Sequence, residues 1–186
     1  MIIPYEDKTG VKRFMTCLEE HSISPLVREL EVSTHTASAA ADALGCEISQ
    51  IVKSLVFITL TTRRPVLVLV SGANKADPLR LSEILGEKVR LANEQAVFEI
   101  TNYPVGAVPP AGFEPPLFTL IDEALAHHEI LWTSGGSNHT QVAISYRDLC
   151  LITGGKVTTI SHPLAIPVTV VPYDPEWPDR FKKEKK

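Results

Sequence analysis

QIVKSLVFITLTTRRPVLVLVS, residues 50–71, decides how this chain folds. Two apolar runs flank the polar turn TTRRP, the pattern of a β-hairpin. Read as a strand, the first run places Val52, Ser54, Val56, Ile58 and Leu60 on one face. Ile51, Lys53, Leu55, Phe57 and Thr59 then share the other face. PVLVLVS has almost no polar residue and reads as a buried strand. One residue resists this pattern. Lys53 has Ile51 and Leu55 as same-face neighbours, an unfavourable place for an ammonium unless its tip reaches water or an anion. Either it snorkels at a sheet margin, or it projects into a pocket toward a negatively charged ligand. The stretch by itself leaves both readings open.

Outward from the hairpin, strands and helices interleave irregularly. Val11, Phe14, Met15 and Leu18 recur at helical spacing within residues 11–21, and LVRELEV follows as a strand. STHTASAAADALGC offers Ser and Thr as N-cap candidates, an alanine-rich helix and Gly45 as its stop. Beyond the hairpin, ADPLRLSEILGEK is a short helix with Pro78 in its first turn and Gly86 near its end. KVRLA is a strand, NEQAVFEIT a helix capped by Asn93, and YPVGAVPPAGFEPP an irregular ordered loop. LFTLID, EILWT, QVAIS and KVTTI read as strands, DEALAHH and YRDLCLITGG as helices, and SGGSNH as a turn. Hairpins mixed with crossovers imply an α+β fold with a mixed sheet, curled toward a barrel, and exclude a doubly wound parallel one.

Composition narrows the class. The 186 residues suit one domain with a substantial core and room for an appendage, and 44% hydrophobic with 22% charged residues is ordinary for a soluble globular protein. A net charge of -4 lacks the basic balance of a non-specific nucleic-acid binder, so any such contact must be local. Cys17, Cys46 and Cys150 show no CxxC spacing and read as reduced, mostly buried thiols. The first ten residues carry no basic-then-apolar leader pattern, and the longest aliphatic runs are too short to span a bilayer. The expectation is a soluble cytoplasmic protein with no membrane association.

Three glycine-bearing loops stand out: SGANK (71–75), VGAVPPAG (105–112) and TSGGSNHT (133–140). Glycine lets a ligand approach the backbone and turns successive N–H groups toward an anion or a developing oxyanion. None of the three matches a nucleotide-binding fingerprint, and each is also readable as a plain turn. The six histidines show no HxxxH or HExxH spacing, so no metal site is indicated. Asp122 is most simply a helix N-cap, and His139 an exposed loop residue. Ser134 and Ser137 lack a GxSxG context, which excludes a hydrolase nucleophile elbow.

Taken in order, THTASAAADALGCEISQIVKSLVF, VLVLVSGANKADPLRLSEILG, VGAVPPAG, LFTLIDEAL and WTSGGSNHTQVAISYRDLCLITGG resemble the YbaK-like aminoacyl-tRNA deacylase family. The same domain occurs as the editing insertion of bacterial prolyl-tRNA synthetases. The resemblance spans residues 9–161 and implies a mixed, barrel-like β-sheet surrounded by helices. It implies a trans-editing hydrolase that needs no cofactor and takes a small non-cognate amino acid off mischarged tRNA, tRNA(Pro) above all. Its partners would be the acceptor end of aminoacyl-tRNA and prolyl-tRNA synthetase. The alternatives are a non-catalytic tRNA-binding or regulatory module of the same fold, or one half of a fused multidomain protein.

Matched motif by motif, the resemblance gives catalytic roles to Lys53, Gly135 and Gly136. It assigns substrate binding to Gly106, Ala107, Pro110, Ser134, Asp122, Asn138 and His139. Lys53 would then hold a phosphate or the terminal ribose, and the glycine N–H groups an oxyanion. The chain departs from the pattern at Gln141, where cysteine-specific members carry an acidic residue, and Asn138 and His139 only loosely echo the members that remove alanine. The activity class therefore transfers better than the amino acid. From residue 162 the chain turns proline-rich and ends in lysines, and VTVVPYDPEWPDRF resembles the opening of a GrpB-like domain. The expected division is an editing domain over residues 1–161 and a tail over 162–186, the truncated start of such a domain.

Overall fold

A computed structural model describes residues 8–162. The tail and its GrpB-like resemblance lie outside the described residues, apart from the first residue of that segment.

The expected hairpin is present. β2 (Val52–Thr59) pairs antiparallel with β3 (Pro65–Ser71), with Lys53 opposite Val70. Both faces of this pair are covered, which is why β3 tolerates no polar alternation. Val56, Ile58, Leu67 and Leu69 enter one core cluster with Phe14 and Leu18 of helix α1 (Lys8–Glu20). Phe57, Val66, Val68 and Val70 enter a second cluster with Leu81 of helix α3 (Pro78–Leu85). Burying such side chains fully is worth about 1.5–3 kcal/mol each, so the hairpin anchors the domain.

The sheet around it is mixed. Its strand order is β5-β2-β3-β6-β9, where β5 is Val89–Leu91, β6 is Phe118–Asp122 and β9 is Lys156–Thr158. β6 runs parallel to both β3 and β9, and the hairpin side is antiparallel. A second sheet, β1-β8-β7, combines β1 (Leu26–Glu29), β8 (Thr140–Ser145) and β7 (Ile130–Ser137). A two-stranded ribbon joins β4 (Lys75–Ala76) to β10 (Ser161–His162). Helix α2 (Ala37–Leu44), α4 (Glu94–Thr101) and α5 (Tyr146–Thr153) complete the set, capped by Thr36, Asn93 and Ser145.

Two readings need correction. The sheets do not close into a barrel. β5 lies alongside β2 only from Phe57 to Thr59, and a single parallel bridge, Ile51 to Trp132, ties β2 to the second sheet. Among the described residues β2 then has an open edge from Val52 to Leu55, since the Val56 carbonyl accepts from Ala92 N–H at 2.8 Å. SGGSNH is not simply a turn either, because β7 continues through Ser137 with a bulge between Ser134 and Ser137. The tight turn is only Asn138-His139, and the bulge absorbs the two glycines without a residue opposite them on β8. The three cysteines are half-buried. The last described residue, His162, pairs with Lys75.

Candidate active site

The open edge of β2 is one wall of a cavity of about 300 Å³. Ile51 to Leu55 supply that wall, Thr34 to Ala37 and Ala40 a second, and Val105, Gly106 and Val108 a third. Ser134 and Gln141, paired across β7 and β8, close it from the other sheet. Incomplete barrel closure is thus what makes room for a ligand.

Lys53 is held by the first glycine loop. Its Nζ donates to the carbonyl of Gly72 at 3.2 Å and to the carbonyl of Asn74. Among the described residues no carboxylate takes part. Burial, with Lys75 nearby, pushes the Lys53 ammonium below its ordinary range, although the two carbonyl dipoles favour the charged form. An ammonium has three protons, so two carbonyls leave one for a ligand. The SGANK loop therefore acts through its carbonyls, as acceptors that aim a cation.

Gly106 sits at the rim with φ of 88°, a left-handed conformation that a side chain would strain. An added Cβ there would lie 2.9 Å from the backbone of His35 and 3.0 Å from Asn138 Oδ1. Ala107, by contrast, is fully buried and is absent from the cavity wall, and Val108 takes its place. Pro110 lines a different, larger groove of about 990 Å³ beside α1.

The glycine pair of β7 is occupied with packing. A Cβ on Gly136 would stand 2.8 Å from the backbone of Gly10, and one on Gly135 2.7 Å from Thr140 Cγ2. The Gly136 N–H donates to Ser134 Oγ at 3.2 Å. Neither glycine lines the cavity, whereas Ser134 does.

Asp122 lies apart from the cavity and does not cap the 3-10 turn that follows it. Its buried carboxylate accepts from the N–H groups of Ile160 and Ser161 at 3.0 and 3.1 Å and from Ser161 Oγ at 2.5 Å. That ties β6 to β10. His139 is half-buried rather than exposed, with Nδ1 3.1 Å from the Leu30 carbonyl. Asn138 acts behind the cavity wall through its carbonyl, which accepts from both N and Oγ1 of Thr34 at 2.7 and 2.9 Å.

Of the ten residues assigned from sequence, then, Lys53, Gly106 and Ser134 meet in one cavity, with Asn138 supporting it. Sequence reasoning missed Thr34, His35, Ser54 and Val108, and treated Gln141 only as a departure. Ser54 carried a usable signal, a hydroxyl on an otherwise apolar strand face. Its Oγ is buried and has no partner in the described structure. Among the described residues no group of three His, Cys, Asp or Glu is placed to hold a metal, and no helix is long and apolar enough to cross a membrane.

An α+β domain with one cationic, glycine-rimmed cavity at an open strand edge is the architecture of a small-ligand site rather than of an extended nucleic-acid platform. The comparisons with known proteins give the lineage of the domain. Residues 31–150 match the model of the aminoacyl-tRNA editing domain, and the chain belongs to that family. It is 27% identical over 131 residues to the uncharacterized protein YwhH of Bacillus subtilis (strain 168), covering 70% of this chain and 83% of that one. It is 30% identical over 104 residues to the proline–tRNA ligase of Limosilactobacillus fermentum, covering 54% of this chain and 18% of the ligase. The chain thus spans under a fifth of that enzyme. A crystal structure of a protein proposed as a trans-editing enzyme for prolyl tRNA synthetase superposes with a TM-score of 0.77 at 34% identity, covering 84% of this chain and 99% of that one. The hypothetical protein APE2540 superposes with a TM-score of 0.76 at 27% identity, covering 81% and 99%.

Proposed function

We propose that this protein is an aminoacyl-tRNA deacylase acting in trans, in the cytoplasm, on tRNA(Pro) that carries a small non-cognate amino acid. The observation that carries the reading is Lys53 in a cavity of about 300 Å³ on an editing-domain fold, held by backbone carbonyls with no carboxylate among the described residues to neutralise it. A cation kept unpaired in a small cavity suits a phosphate or ribose oxygen at the acceptor end.

In the proposed reaction, water adds to the ester carbonyl carbon, and the tetrahedral oxyanion forms. The bond to the ribose oxygen then breaks, and that oxygen takes the proton from the former water. The ester is already activated, so positioning supplies much of the rate and no strong base is needed. The neighbouring ribose hydroxyl of the tRNA positions the water. Oxyanion stabilisation by Gly135 and Gly136 has less support than the role of Lys53, because the Gly136 N–H is engaged by Ser134 Oγ. The smallness of the cavity and its wall of Val105, Gly106 and Val108 favour small side chains. Prolyl-tRNA synthetase is the partner that this substrate implies. Residues 1–161 form the editing unit in this reading, and 162–186 a separate segment.

The test is a deacylation panel of the purified protein against tRNA(Pro) charged with alanine, cysteine, serine and proline. Turnover of one or more of the first three, with prolyl-tRNA spared, is the expected result. Binding without turnover of any of them would make the protein a tRNA-binding module instead.

A further inference from the structure

The wall of Val105, Gly106 and Val108 belongs to a segment, residues 102–117, that forms neither helix nor strand. The Ala107 N–H donates to the Pro104 carbonyl at 3.0 Å and shapes its tip. Such a wall keeps its place only if both ends of the segment are held from behind. Helix α1 holds both. At the first end, Arg13 Nη2 donates to the Asn102 carbonyl at 3.0 Å, and the guanidinium carbon lies 4.3 Å from the centre of the Tyr103 ring. Tyr103 is 1% exposed, and its hydroxyl donates to the Gly10 carbonyl at 3.0 Å. At the second end, Gly112 rests on the backbone of Arg13 and Phe14, where an added Cβ would come to 3.4 Å. The Phe113 ring meets Tyr103 edge to face at 6.1 Å, so the two ends brace each other. Gly10 has a further neighbour. A side chain there would stand 2.8 Å from the Gly136 carbonyl oxygen and 2.9 Å from Tyr103 Cε1. One turn of α1 thus touches both the foot of this wall and the β7 bulge that carries Ser134. Gly10, Arg13 and Tyr103 do not themselves line the cavity.

We propose that Tyr103 and Arg13 are positioning residues of the site: anchored on α1, they fix the distance between the wall of Val105, Gly106 and Val108 and Ser134 on the other sheet. This rests on the deacylase reading above. Neither side chain reaches the substrate, so each acts through the place of the wall alone. A wall displaced by about 1 Å costs up to about 100-fold in turnover, because the ester and its water lose their alignment. A slack wall also admits larger groups, so selectivity falls together with rate.

Three substitutions in the full chain test this. Tyr103→Phe keeps the ring and its contact with Phe113 but removes the bond to Gly10. Arg13→Met removes both contacts to the segment, and Arg13→Lys keeps a cation over the ring. Each is followed by thermal melting, by steady-state deacylation of charged tRNA(Pro), and by calorimetric titration with the non-hydrolysable alanyl and prolyl 3′-aminoacylamido-3′-deoxyadenosines. Tyr103→Phe and Arg13→Met should each lower kcat about 10-fold with KM within about twofold, and should cut the preference for the alanyl over the prolyl compound about as much. Arg13→Lys should recover most of both. A merely structural role would lower the melting temperature and leave the kcat of folded molecules and the preference unchanged. That result in both variants overturns the proposal, as does a wild type with no preference to lose. An effect in one variant alone assigns the role to that residue, and if Tyr103→Phe fails to fold, Arg13→Met decides. If the wild type prefers the alanyl compound and the variants lose that preference, yet no charged tRNA is hydrolysed, the deacylase reading fails and the positioning role stands.

Discussion

Two glycine loops, SGANK at 71–75 and SGG at 134–136, look alike as sequence and do opposite things in the fold. The first faces the cavity with its carbonyls and aims Lys53. In the second, Ser134 lines the cavity, but the two glycines serve packing, and Gly136 lets α1 approach β7 with its Cα against the backbone of Gly10. A glycine records only that something comes close or that φ is unusual. Whether the close object is a ligand or another element, and whether N–H or C=O points at it, depends on what lies across the gap. In this domain the loop beside an unpaired strand edge serves the site, and the loop inside a paired sheet serves the packing.

The largest expected effect tests the first half of that contrast. Lys53→Met should lower deacylation by about 10³-fold, or about 4 kcal/mol of transition-state stabilisation, with the fold retained. A rate assay beside a thermal melt checks it, and a variant with full activity would remove Lys53 from the mechanism. The second half is tested at Gly136. Gly136→Ala must strain a φ of 99° and push a Cβ to 2.8 Å from Gly10, so a loss of about 3 kcal/mol in stability is expected. Denaturant unfolding measures it. An equally stable but inactive Gly136→Ala protein would return the SGG loop to the catalytic machinery.

Asp122→Ala sharpens the comparison from a third position. It removes the acceptor of three hydrogen bonds from Ile160 and Ser161, and should cost about 2 kcal/mol by unfolding while leaving substrate discrimination unchanged. Altered discrimination would bring Asp122 back to the site.

The smallest effect is a pH dependence. Folding lowers the Lys53 pKa from 10.5, so the unfolded chain binds more protons between the folded and the ordinary values. In that window wild-type stability should rise with pH relative to Lys53→Met, and below it the difference should be constant. Deacylation should fall in the same window as the ammonium is lost. Parallel unfolding curves for the two proteins up to pH 10.5 would show that burial costs the cation nothing.

Much of the fold was legible because local rules and tertiary packing agree. The alternation at 51–59 correctly separated Val56 and Ile58 from Phe57, and these enter different core clusters. Thr36, Asn93 and Ser145 cap helices because each hydroxyl or amide oxygen reaches an N–H three residues on, a contact within one turn. The site was less legible. Ala107 and Val108 are neighbours in one irregular loop, and no periodicity tells which of them turns inward. Asp122 precedes a helical turn, as an N-cap does, but its partners Ile160 and Ser161 are about forty residues away in the chain.

By itself the sequence determined the hairpin, the helices with their stops, the interleaving that requires a mixed sheet, and the oddity of Lys53. These follow from side-chain alternation, capping and turn chemistry, which act over a few residues. Only the tertiary structure decided that the sheets stay open from Val52 to Leu55, and that Thr34, Ser54, Ser134 and Gln141 meet in the gap. Strand closure depends on how far β5 and β7 reach along β2, and that is set by packing between segments distant in the chain. The Gln141 amide donates to Thr34 Oγ1, 107 residues earlier, a contact that no local rule reaches.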